Sequence, residues 1–183
     1  MKAGLVVILF AASALAQDQT ALTAARAVCG PPNVNFDAKA DSAHHPTPES
    51  DPLKATVYVI ADLGQCSDCG KPSLDPKDVS DAVIKVGMDG RWIGASRGNS
   101  YLFAITEPGD HHMCLNWQSS LEERSRAFAM TNLTAEAGKV YYLRARLFPG
   151  GKGDFSFDLD QINSDEGKYL VASSAFTVSH PRK

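Results

Sequence analysis

From residue 55 onward, apolar and polar residues alternate with a period of two, the signature of strands with one buried face. Residues 56–61 are β-branched and aromatic, with Val57, Tyr58, Val59 and Ile60, and read as a buried strand. Ala82, Ile84, Val86 and Met88 alternate with Val83, Lys85 and Gly87, which gives the next strand one core face. Asp89-Gly90 then predicts a two-residue turn, and residues 91–95, carrying Trp92, return as a short strand. Tyr101, Phe103 and Ile105 alternate on another strand. Pro108-Gly109 fits the centre of a type II turn, so residues 111–118 are expected to pair back on that strand.

Later segments repeat the pattern. Residues 127–133 read as a strand, and so do residues 140–148, where Tyr141, Leu143, Ala145 and Leu147 face in and Arg144 and Arg146 face out. Phe155, Phe157 and Leu159 alternate again. Asn163 with Glu166 forms a capping-box-like start, predicting a helix over residues 164–173, and residues 176–178 supply a last strand. Seven or eight short strands with hardly any helix predict a mainly β fold, an antiparallel two-sheet sandwich with one short C-terminal helix. The domain spans residues 55–178. Residues 17–54 form an N-terminal extension and Pro-rich linker, and residues 179–183 a tail.

The first sixteen residues carry Lys2, an apolar run over residues 4–12, and the small residues Ala14 and Ala16. That is the layout of a signal peptide cleaved before Gln17. The run is shorter than the roughly 20 residues a bilayer span needs, so no transmembrane anchor is expected. A net charge of -3 leaves no basic footprint for nucleic acid. Export places the four cysteines in an oxidising compartment, where an even count implies disulfides. On residues 111–118, His111, Met113, Leu115 and Trp117 share the apolar side, while His112, Cys114, Asn116 and Gln118 share the other. Cys114 therefore points away from the core, within reach of a segment outside the sheet such as that of Cys29. Cys66 and Cys69 are close enough for a local bridge, and the expected pairs are Cys29–Cys114 and Cys66–Cys69. A redox C-x-x-C at a helix N-terminus sits poorly with Gly70, Pro72 and Pro76 after it, and a zinc site lacks a second ligand pair.

Other candidate chemistry is sparse. There is no G-x-S-x-G, H-E-x-x-H, P-loop or G-x-G-x-x-G motif. His44 and His45 lie in the linker with no further ligand nearby. His111 and His112 point to opposite faces of one strand, so they do not share an ion. His112 and Cys114 share a face, but a disulfide removes that pair as ligands. Asp154, Asp158, Asp160, Asp165 and Glu166 read as outward strand carboxylates and a helix N-terminus. Asn132-Leu133-Thr134 is a glycosylation sequon, relevant only in a eukaryotic secretory pathway.

Four phrases in order carry a family resemblance: residues 85–94, residues 99–101, Glu107-Pro108-Gly109-Asp110-His111-His112, and residues 137–142. Over residues 55–174 the chain resembles the bacterial family called domain of unknown function 2846, and more distantly PEGA and carboxypeptidase-regulatory-like modules. The resemblance implies an exported sandwich and supplies no catalytic residues. The expected protein is therefore a non-catalytic binding or structural module of the bacterial envelope, periplasmic or secreted. It needs no cofactor or metal, and its partner is a protein or glycan. Candidate contact surfaces are the turns holding Asp89, Gly90, Pro108, Gly109, His111 and His112, with residues 94–100 and 149–153. The alternative is a periplasmic redox or metal-handling protein using the Cys66/Cys69 pair.

Overall fold

The computed structural model describes residue 24 and residues 26–64, 76–119, 127–149 and 155–183. The expected signal peptide, Cys66 and Cys69 lie outside the described residues. Among these residues, ten strands and two helices follow in the order β1 (Phe36–Asp41), β2 (Ala55–Ala61), α1 (Pro76–Asp81), β3 (Val83–Met88), β4 (Arg91–Arg97), β5 (Ser100–Thr106), β6 (Gly109–Trp117), β7 (Phe128–Ala135), β8 (Val140–Pro149), β9 (Phe155–Ile162), α2 (Ser164–Ser173) and β10 (Ala175–Pro181). They form a six-stranded sheet, β1-β10-β5-β2-β8-β9, and a four-stranded sheet, β4-β3-β6-β7. The main core lies between the sheets. Val57, Val59, Leu102, Leu143 and Leu147 of the larger sheet meet Ile84, Val86, Met113, Leu115 and Trp117 of the smaller. The inward residues expected on β6 and β8 take their places there.

The two-sheet, mainly β architecture agrees with the alternation, but three expectations are corrected. First, among the described residues ten strands replace seven or eight, and a second short helix, α1, joins the expected C-terminal one. The larger sheet is mixed: β2 runs parallel to β8 and β10 parallel to β5. Alternation reveals which face a strand buries but not its neighbour. After β2 the chain passes through β3 and β4 of the smaller sheet and returns as β5, antiparallel to β2. It crosses again through β6 and β7 and enters β8 on the other side of β2 in the same direction, the long connection that a parallel pair requires. Second, β5 and β6 are not a hairpin. Gly109 does take a positive φ of 137°, yet β5 pairs with β2 and β10, and β6 with β3 and β7. The turn carries the chain across the core, so that Leu102 meets Met113 and Leu115 from the opposite layer. Third, the sheet passes both expected boundaries. β1 lies within residues 17–54, and it pairs with β10 from Phe36 opposite Pro181 to Asp41 opposite Phe176.

Two local features match the sequence closely. Asp89 and Gly90 both take positive φ, 50° and 77°, and join Met88 to Arg91 as a two-residue hairpin. Helix α2 starts at Asn163, whose side chain accepts hydrogen bonds from the Asp165 and Glu166 amides. The helix covers a second apolar layer on the outer face of the larger sheet. Ile60, Tyr101 and Tyr142 are buried there beneath Leu170 and Val171.

Candidate functional site

Residues 26–35 cross the outer face of the smaller sheet as a strap. Cys29 is bonded to Cys114, with Cα atoms 5.5 Å apart, and both residues are fully buried. Cys114 lies opposite Gly87 in the β3–β6 register. A Cβ at Gly87 would overlap the Cys29 carbonyl, so glycine there lets the strap approach closely enough for the bond. Four further donors hold the strap among the described residues: the Gly90 amide to the Val28 carbonyl at 2.5 Å, the Trp92 indole N–H to the Pro31 carbonyl at 2.8 Å, Lys85 Nζ to the Val34 carbonyl at 3.2 Å, and the Arg182 amide to the Asn35 carbonyl at 2.8 Å. Where the strap becomes β1, Gln118 accepts from the Phe36 amide at 2.6 Å and donates to its carbonyl at 2.8 Å.

Strap and sheet enclose a cleft of about 410 Å³, lined by Arg26, Pro32, Lys85, Trp92, Gln118 and Phe128 among others. That volume falls within the range of small-molecule sites, about 300–1,000 Å³. Lys85 is its unusual member, only 4% exposed. Its ammonium offers three donors. One goes to Val34, and the charge lies 4.5 Å from the Trp92 ring centroid. No carboxylate among the described residues pairs with it. Burial pushes the ammonium's pKa down. Taking an ammonium out of water costs several kcal/mol. The Val34 bond returns about 2 kcal/mol and the Trp92 face about 2 kcal/mol, and two N–H groups keep no acceptor among the described residues. The Arg26 guanidinium sits 5.9 Å from the Phe128 centroid, and its Nε is buried without a hydrogen-bond partner there. The described lining thus carries two cations, aromatic walls and no carboxylate.

The cluster at the Asp89 and Pro108 turns is a tether. Asp89 accepts from His111 Nδ1 at 2.6 Å and from the His112 amide at 2.8 Å. His111 Nε2 faces the Glu107 carbonyl at 2.8 Å. Both ring nitrogens therefore face acceptors, an arrangement that favours the imidazolium. Burial opposes charge on His111, but the bonds to Asp89 and Glu107 outweigh it and raise its pKa. Burial likewise opposes charge on Asp89, and the donors from His111 and His112 overcome it and lower its pKa. This links the β3–β4 turn to the point where the chain changes sheets.

The other sequence candidates fall apart in space. His112 is exposed and bonds Asn132 at 2.8 Å. Cys114 is sealed in the disulfide, so the two cannot act as a ligand pair. His44 bonds Asp41 at 2.9 Å, while His45 stacks on Tyr101 with centroids 6.1 Å apart. Gly94 lies within β4 and not in a loop, and Asp154 and most of residues 149–153 lie outside the described residues. Asp158 and Asp160 both accept from Arg146, at 2.7 and 2.6 Å, and Glu166 pairs with Arg144. Lys85 and Trp92 were legible as strand residues but not as cleft residues. The one available signal was a lysine on the non-core side of its strand, together with an outward Cys114 within reach of the Cys29 segment. No family model, curated protein or solved structure matches the chain.

Proposed function

We propose that this chain is an exported, non-catalytic β-sandwich that acts as a binding module of the bacterial envelope, as the resemblance to domain of unknown function 2846 implies. The observation that carries the reading is the cleft beneath the strap: a covalently fastened segment roofs a sheet face and leaves a ligand-sized space whose Lys85 and Arg26 donors lack acceptors among the described residues. Such a fixed roof costs little further ordering when a ligand enters, and rigidity of this kind favours binding. The disulfide between Cys29 and Cys114 accords with an oxidising compartment.

Expression of the full chain in a Gram-negative host tests this. The expected product begins at Gln17, lies outside the cytoplasm and shows no reactive thiols when denatured without reductant. Its melting temperature rises with at least one member of a panel of sugars, peptides and organic acids. An unprocessed cytoplasmic product, or silence across the panel, refutes the reading. Two reactive thiols would instead favour the redox alternative at Cys66 and Cys69.

A further inference from the structure

Resting on that reading, we propose that the cleft beneath the strap binds a small organic carboxylate, with Lys85 and Arg26 taking the anionic end and Trp92 and Phe128 flanking an apolar body. Three observations converge. Lys85 is a buried cation whose polar contacts among the described residues are one carbonyl and one ring face. A buried ammonium with two donors left over among the described residues calls for an acceptor, and a charged acceptor makes the shorter and stronger bond. Arg26 brings a second cation to the same lining, with its Nε buried and unpartnered among the described residues. The described lining holds no carboxylate that would repel an anion.

The remaining walls select the kind of anion. Trp92, Phe128, Pro32 and Ala27 present apolar surface, which suits a ligand with a ring or chain behind its charge. Inorganic phosphate would place a strongly hydrated dianion against those walls and leave them unused. A cationic ligand would meet two like charges. Gln118 is committed through both side-chain ends to the Phe36 backbone and serves to hold the rim. Trp92 is similarly held through its indole N–H on Pro31, so the ring beneath Lys85 is fixed in place in the cleft wall.

The test uses the full processed, oxidised protein. Benzoate and indole-3-acetate are titrated against their neutral isosteres benzamide and indole-3-acetamide, with inorganic phosphate as a third arm. Calorimetry and the Trp92 indole N–H resonance are the readouts. The carboxylates are expected to bind about tenfold or more tightly than the amides and to shift the Trp92 signal. Lys85→Met keeps the side chain's length and apolar stem, and is expected to lose that discrimination while retaining the wild-type circular dichroism spectrum. Should Lys85→Met fail to fold, Arg26→Leu and the comparison of acid with amide on wild-type protein decide alone. Equal binding of acid and amide, equal binding of phosphate, or no carboxylate binding up to about 10 mM overturns the proposal. If the carboxylates are silent while a neutral sugar or peptide stabilises the protein, the ligand class falls and the binding-module reading stands. If every probe is silent, both fall.

Discussion

Replacing Cys29 and Cys114 together by alanine removes the tether without leaving a free thiol, and isolates what the strap contributes. The bond closes a chain segment with a sequence separation of 85. Cross-linking across such a length removes denatured-state entropy worth about 4.5 kcal/mol at room temperature in the chain-entropy account. A domain has about 5–15 kcal/mol of stability in total, so the loss would be a large fraction of it. With a urea slope of about 2 kcal/mol per molar, the unfolding midpoint falls by about 2 M. The assay is equilibrium urea unfolding of C29A/C114A and wild type, followed by circular dichroism. Hydrogen exchange at the Gly90 amide and the Trp92 indole N–H is measured in parallel. Those two donors bond the strap carbonyls of Val28 and Pro31, so their exchange is expected to accelerate before the sheet amides exchange. A midpoint shift equivalent to less than about 1 kcal/mol, with exchange at both sites still slow, would refute the idea that the bond holds the strap.

Three further outcomes are expected. His111 titrates above its ordinary 6.5, so its contribution is complete below that value and is lost as pH rises through the raised folded value. Asp89 titrates below its ordinary 3.8, so its contribution is present above that value and is lost as pH falls through the lowered one. Asp89→Asn should therefore destabilise by about 1 kcal/mol near pH 5, discounted for the part-exposed Asp89 carboxylate, and by less near pH 9. Equal losses in urea unfolding at both pH values would contradict the tether. Leu143→Ala removes a fully buried side chain from between the sheets and should cost about 2–5 kcal/mol; a thermal midpoint equal to that of wild type would show that residue 143 does not lie in the core. Asn163→Ala deletes the acceptor for the Asp165 and Glu166 amides and should cost about 1 kcal/mol. The same unfolding assay checks it, and no loss would mean that helix α2 starts without its cap.

The redundancy of the strap's attachments bears on how the proposed ligand would be held. One covalent bond sets its position at Cys29, and carbonyls before and after that residue take donors from Gly90, Trp92 and Lys85. Lys85 is therefore both a fastener and a cleft residue. A ligand carboxylate would use its remaining donors without releasing Val34, since an ammonium serves three acceptors at once.

How much of this was legible in one dimension depended on range. Alternation placed Met113, Leu115, Leu143 and Leu147 inward and Cys114 outward, because a strand sends successive side chains to opposite faces whatever it pairs with. Local chemistry placed the Asp89-Gly90 turn and the Asn163 cap, because their hydrogen bonds and dihedrals involve only near neighbours. The Cys29–Cys114 pair followed from facing and reach. The parallel pairing of β2 with β8, the crossing at Pro108, the entry of β1 into the larger sheet and the burial of Lys85 did not follow. Each depends on which distant segment lies alongside. The apolar patterns of β2, β5 and β8 satisfy several neighbours equally, and only simultaneous filling of one core by both sheets selects among them. Lys85 reads as an ordinary outward lysine until residues 26–35 are laid across it. Its change from solvated to buried charge is a property of that tertiary contact alone.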